Sequence, residues 1–489
     1  MSHWMRRFPL TLGLVALILF GAFYAVRAGQ TEENVSTRSA EARDLYREGM
    51  EHWLQYRYAA ADSAWGEACA LDPGFALAWG RRSLLASTQH READARRFIT
   101  EAKAHRRGIT ELERLRIAWW DSRVERQTGT KGREALEEII RRYPDDHEAW
   151  FALYSVEFNE GNLDRAAQCL LRVIEVNPAS ILAYNNLGYL YAEMGRWDEA
   201  IDTLRKYAFI NTDEANPHDS LGEIYERIGR YEEAQAEYRR AVAADSAFFF
   251  AYVHDARVEH NLGRTESALR RLRTARERYI SGAQAQNLLV GEFSALLRAG
   301  RLEEADAVLE QVEVDPVSRS TAEVMRAQIR AARGQVGLVE AVAESLHAAD
   351  VGRDASGLLG ADGDPNVNIV DGLLLEARRD YGDAARLYSD FLRRNFIDFD
   401  VNDWMRLRTT ENFCRAAEWD SCVAHADRTL SRNPNHPTAL YWKAKALDGA
   451  GRAGEAQVLW DRLAGLWRQA DPGHPWAAEM RRRLGQPLS

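Results

Sequence analysis

Across residues 182–215 the apolar positions fall into two stripes, each with the spacing of one helix face. Tyr184, Leu187, Gly188 and Tyr191 stand at i, i+3, i+4 and i+7, which aligns them on one side of an α-helix. Gly195-Arg196 interrupts the pattern, because glycine at a helix end takes the left-handed conformation readily. Trp197, Ala200, Ile201, Leu204 and Tyr207 then resume it. The spacing predicts two short amphipathic helices joined by a tight turn. Gly188 and Ala200 lie at mirror positions about that turn. Missing bulk there should let the helix axes approach toward the lower end of the usual ~8–10 Å.

The pattern recurs. Gly161, Gly195, Gly229 and Gly263 stand 34 residues apart, and Ala166, Ala200, Ala234 and Ala268 each follow five residues later. A period of this length marks stacked supersecondary units, an extended body in which each unit touches its neighbours. Markers in the same register run from Gly49, Ala61 and Trp65 through Gly300/Ala305, Gly334 and Gly372/Ala384 to Gly451/Ala456/Trp460. They predict an all-α solenoid of about eleven helical hairpins, at 41–349 and 369–489. The markers are degenerate at 75–145, where longer helices are expected. The second helix after Gly334 is poorly patterned. Residues 350–368 read as an irregular loop, and 475–484 as a final covering helix. Along that loop Asp362, Asp364, Asn366 and Asn368 alternate, but Val367 and Leu373 stand where a calcium loop needs glycine and glutamate.

These residues resemble the tetratricopeptide repeat family. Its first-helix pattern, Trp-x2-Leu-Gly-x2-Tyr, reads here Tyr184-x2-Leu187-Gly188-x2-Tyr191 and then His218-x2-Leu221-Gly222-x2-Tyr225. Asn177-Pro178, Asp72-Pro73, Tyr143-Pro144 and Asn433-Pro434 match its closing proline, which stops the second helix. The resemblance implies a right-handed superhelix whose first helices line a groove for partner segments. Carried across residue by residue, the groove positions are Phe151, Phe158 and Asn159, then Asn185, Asn186, Tyr189 and Glu193. Asp219, Glu223 and Arg227 follow, then His254, Arg257 and His260. Some members clamp a terminal carboxylate with basic residues, but Asp219 and Glu223 oppose that here. The mixed aromatic and polar lining implies a partner segment held by backbone amides and apolar anchors. Phe248-Phe249-Phe250 is a further candidate anchor.

Ahead of the repeats, residues 9–26 carry no charge, with Arg6 and Arg7 before them and Arg27, Glu32 and Glu33 after. As a helix this stretch spans about 27 Å, near the thickness of a bilayer core. The positive side stays in the cytoplasm. The expected layout is a cytoplasmic 1–8, a transmembrane signal anchor at 9–27, a flexible linker at 28–40, and the repeats in a bacterial periplasm. A cleaved signal peptide at Val26-Arg27-Ala28 is the alternative, leaving a soluble periplasmic chain. Net charge is -10, which opposes sequence-independent nucleic-acid binding. Only five of the 64 basic residues are lysine, in keeping with GC-rich bacterial coding.

No catalytic or phosphate-binding signature is present, and the repeats leave no stretch for a separate catalytic domain. Cys69, Cys169, Cys414 and Cys422 lack metal or haem spacing. They read as small buried residues, with a Cys414–Cys422 disulfide open as an alternative. No cofactor or metal is expected. The function these features imply is a non-catalytic scaffold or assembly factor for envelope or membrane-complex proteins. The alternative is the sensory or ligand-binding module of a membrane signalling system.

Overall fold

The amphipathic stripes become 25 α-helices, from Ala40–Leu54 to Pro475–Arg483, with no strand among the described residues. The computed structural model describes residues 35–54, 57–89, 91–125, 130–278, 282–312, 319–354, 365–394 and 399–485. The helices form twelve hairpins and one last helix, against the eleven or so expected. The expected span at 9–27 lies outside the described residues. Among those described, no helix is long and apolar enough to cross a membrane.

Each repeat closes on the same contacts. Ala166, Ala200, Ala234 and Ala268 are fully buried, and Gly161, Gly195, Gly229 and Gly263 turn the chain at φ 71 to 77°. On the first-helix side, Gly188 receives Leu204 from the second helix. A Cβ on Gly188 would lie 2.6 Å from Leu204 Cγ. A Cβ on Gly222 would lie 2.5 Å from Tyr238, on Gly372 2.2 Å from Tyr388, and on Gly49 2.3 Å from Trp65. Each partner stands sixteen residues after its glycine. The glycine is therefore a socket that receives one large side chain of the second helix, a knob-in-hole contact.

The chain divides into two compact units at Ala183/Tyr184. The first holds a continuous core around Trp65, Phe75, Leu77, Ile99 and Trp120. Its stretch at 75–145 contains two ordinary hairpins, Ala76–Thr88 with Glu92–Ala104 and Glu111–Val124 with Thr130–Arg142, not the longer helices expected. Their markers are degenerate because the socket is filled differently. Gly80 faces Trp120, which comes from the next hairpin. A buried network crosses this unit: Arg81 binds Glu148 at 2.7 Å and Tyr46 Oη at 3.1 Å. Burial alone would raise the Glu148 carboxyl, but Arg81 and Arg116 hold it at about 2.

In the second unit, the poorly patterned segment after Gly334 forms the helix Val336–Asp354. The loop expected at 350–368 is thus helical at its start and again from Pro365, where proline suits the first helical position. Residues 355–364, with Asp362 and Asp364, lie outside the described residues.

This second unit also returns to itself. Asn433 Nδ2 donates to Glu226 O at 3.1 Å and to Tyr231 Oη at 3.2 Å. Asn435 Nδ2 donates to Gly229 O at 3.1 Å, and Trp467 Nε1 to Asn261 O at 3.0 Å. Asp471 N donates to Gly263 O at 2.9 Å. The Asp471 carboxylate accepts from Glu266 N at 2.8 Å, at the start of Thr265–Arg276, where a helix end favours negative charge. Partners in this seam are 202–208 residues apart in sequence, roughly six repeat lengths. A Cβ on Gly229 would strike Asn433 Oδ1 at 2.3 Å, and one on Gly263 would strike Ala470 Cβ at 2.5 Å, whereas Gly161 and Gly195 face open space.

All four cysteines are buried free thiols. Cys414 and Cys422 both direct their sulfur at Trp442 O, at 3.7 and 3.6 Å, across one hairpin.

Candidate binding cavity

Because the second unit closes along its seam, its first helices surround a cavity of about 1340 Å³. That exceeds the range usual for small-molecule sites, about 300–1,000 Å³. On the helix Ala283–Arg298 the wall is made by Asn287, Val290, Gly291, Ser294 and Arg298, one face of the helix at i, i+3, i+4, i+7 and i+11. The helix Phe249–Asn261 supplies Phe250, Val253, His254, Arg257 and His260, at i, i+3, i+4, i+7 and i+10.

Of the groove positions carried from sequence, Glu193, Arg227, His254, Arg257 and His260 stand on this wall. Asp219, Glu223, Asn185 and Tyr189 stand behind it, in a polar network. His254 Nδ1 meets Asp219 Oδ1 at 2.9 Å, Tyr189 Oη donates to Glu223, and Ser220 Oγ donates to Asn185 Oδ1 at 3.0 Å. Burial alone would lower the His254 imidazole, but the Asp219 carboxylate raises it. Burial raises Asp219 against the pull of His254. Ligand atoms of Asp219, Glu223 and His254 lie within 4.8 Å of one another, a spacing that could hold a cation. Arg227 and Arg257 approach Glu223 at 3.7 and 3.9 Å, however, so positive charge already faces these carboxylates. The cluster is better described as a charge-balanced brace for the wall. Asn186 shares the helix Ile181–Glu193 with Glu193 but is not a wall residue.

Phe151, Phe158 and Asn159 lie in the first unit, on His147–Asn159, and are not among this cavity's lining residues. Phe151, Tyr154 and Phe158 form a ring ladder there, with centroids 5.5 and 6.0 Å apart. Of the three consecutive phenylalanines, Phe249 and Phe250 reach the wall, with centroids 4.0 Å apart, and Phe250 stays exposed.

Sequence reasoning missed the far wall. Trp404, Arg408 and Glu411 line it from Phe399–Arg415, Glu376 and Arg379 from the hairpin before, and Trp476 from Pro475–Arg483. Arg408 binds Glu376, and binds Glu411 at 2.9 Å. Arg298 had a usable signal: it stands two residues before its turn glycine, as Glu193 and Arg227 do. Arg379 had another, since it occupies the position that glycine takes in the regular repeats. Its φ is 66°, in the left-handed region, and the equivalent Ala417 has φ 58°.

Comparison with known proteins points to one family. Residues 155–195 match the family described as TPR repeat, and 121–168, 183–208, 217–248 and 437–462 match families described as tetratricopeptide repeat. No curated protein matches the chain. Among solved structures, a tetratricopeptide repeat protein from Parabacteroides merdae is 17% identical with a TM-score of 0.42, covering 55% of this chain and 98% of its own. MamA 41-end from Desulfovibrio magneticus RS-1 is 17% identical with a TM-score of 0.30, covering 34% of this chain and 93% of its own.

Proposed function

Since the chain is a tetratricopeptide repeat protein, we propose that it is a non-catalytic protein-interaction scaffold whose second unit takes a partner segment into its cavity. The cavity carries this reading. It is wide enough for an extended segment, and it offers apolar anchors in Phe250, Trp404 and Trp476 beside amide groups in Asn287 and Gln328. A peptide backbone needs such amides, and its side chains need such anchors. The uncharged stretch at 9–26 supports a further part of the proposal: a tether in a bacterial inner membrane with the repeats in the periplasm, where envelope or membrane-complex subunits would be the partners.

Ser294→Trp tests the proposal by placing a ring inside the cavity from a half-buried wall position. The variant is expected to keep its thermal unfolding temperature and to lose the partner that the unaltered chain retains from detergent extracts. Retention of the same partner at the same level by Ser294→Trp would show that the cavity is not the binding site.

A further inference from the structure

The cavity wall carries a charge opposite to that of the chain. Net charge over the whole protein is -10. Yet nine arginines line the cavity against four glutamates, with no lysine and no aspartate. Three of the glutamates are already engaged by neighbouring side chains. Glu226 accepts from Arg257 at 2.7 Å and from Tyr238 Oη at 2.9 Å. Glu376 accepts from Arg408 and from Asn412 Nδ2 at 2.7 Å, and Glu411 pairs with Arg408 and Arg415.

Two of the remaining arginines have no carboxylate partner among the described residues. Arg298 makes one long bond, Nε to Ser294 O at 3.4 Å. Its side chain is exposed to the solvent of the cavity, on whose wall it stands. The surrounding protein, with the Arg257 charge beside it, lowers its guanidinium to about 10, and Glu226 opposes that. Arg379 projects from a turn whose backbone favours glycine, at φ 66°. A bulky residue at a strained position on a cavity wall points to use of its side chain.

We infer that the segment bound in this cavity is acidic, a peptide rich in aspartate or glutamate whose carboxylates pair with Arg298 and Arg379. This rests on the proposed binding role of the cavity and adds the chemistry of the partner. Planar guanidinium groups suit bidentate capture of carboxylates. The wall amides and aromatic rings favour a peptide over a nucleic acid, whose evenly spaced phosphates would also have to pass Glu226, Glu376 and Glu411.

The probe is a short fluorescein-labelled oligoglutamate, with oligoserine, oligolysine and a single-stranded oligonucleotide beside it, followed by anisotropy on the full chain at low and moderate salt. Oligoglutamate is expected to bind, and to weaken with salt, while oligoserine and oligolysine do not bind. Arg298→Gln should weaken binding about tenfold. Arg379→Gly should weaken it about threefold while raising the unfolding temperature. Ala417→Gly relieves the same backbone strain at a turn outside the wall, so it should raise the unfolding temperature and leave binding unchanged. Equal affinity for oligoserine, tighter binding of the oligonucleotide, or full oligoglutamate affinity in Arg298→Gln would each overturn the inference. Should Ser294→Trp abolish partner retention while oligoserine matches oligoglutamate, the cavity remains the binding site and only the acidic assignment falls.

Discussion

At the scale of single residues, glycine does three separable jobs in this chain. Gly195 is needed for its left-handed turn alone, since a Cβ there would meet nothing within 4 Å. Gly263 has the same backbone, φ 77°, and also lets Ala470 approach. Gly222 sits within a helix and receives Tyr238, whose hydroxyl donates to Glu226 on the cavity wall. Substitution should separate these roles. Gly195→Ala is expected to cost about 1 kcal/mol, the left-handed penalty less the flexibility that glycine adds to the unfolded chain. Gly263→Ala should cost that amount plus the seam contact. Gly222→Ala should cost roughly 1–3 kcal/mol through overpacking. Denaturant titration of the three variants checks the order; equal losses for Gly195→Ala and Gly263→Ala would remove the seam as a contributor.

At the scale of elements, the last helix shows how one cap couples a repeat to pH. His474 Nδ1 accepts from Ala477 N at 3.1 Å, and the ring packs 5.1 Å from Trp467 and 6.1 Å from Trp476. Burial pushes its imidazole down to about 4, with Asp471 opposing and Arg481 assisting. An unfolded histidine titrates near about 6.5. The unfolded chain therefore takes up this proton first as pH falls. The contribution of His474 is complete above about pH 6.5 and declines toward pH 4, by on the order of 2–3 kcal/mol at the low end. His474→Asn keeps a capping oxygen and removes the titration. Its stability difference from the unaltered chain should change steadily between those limits, followed by urea unfolding across pH. A constant difference would mean that the imidazole is not held neutral by the fold.

At the scale of the molecule, the seam in the second unit turns a series of nearest-neighbour contacts into a closed circuit. Repeat proteins ordinarily gain stability from adjacent units alone. Here Asn433, Asn435, Trp467 and Asp471 add contacts roughly six repeats away, and the cavity exists because they do. Asn433→Ala with Asp471→Ala should open the circuit while leaving the hairpins intact. The expected outcome is an increased radius of gyration by small-angle scattering with unchanged helical circular dichroism, together with loss of the partner segment. An unaltered scattering profile would show that adjacent-repeat packing alone sets the curvature.

Much of this was legible in the chain itself. A 34-residue recurrence of Gly161, Gly195, Gly229 and Gly263 determines the hairpins, because left-handed turns and helix periodicity are local properties that short stretches encode. The degenerate stretch at 75–145 hid two hairpins, since Trp120 fills the Gly80 socket from the next hairpin and local pattern does not register a contact between repeats. The Asn433-Pro434 pair reads as an ordinary helix stop, yet Asn433 also secures the seam, and the chain carries no mark of that second role. Curvature decides which distant turns meet, and it accumulates from small rotations at every interface. Only the tertiary structure could therefore bring Arg298 and Arg379 to one cavity, and turn a groove read by resemblance into a basic cavity.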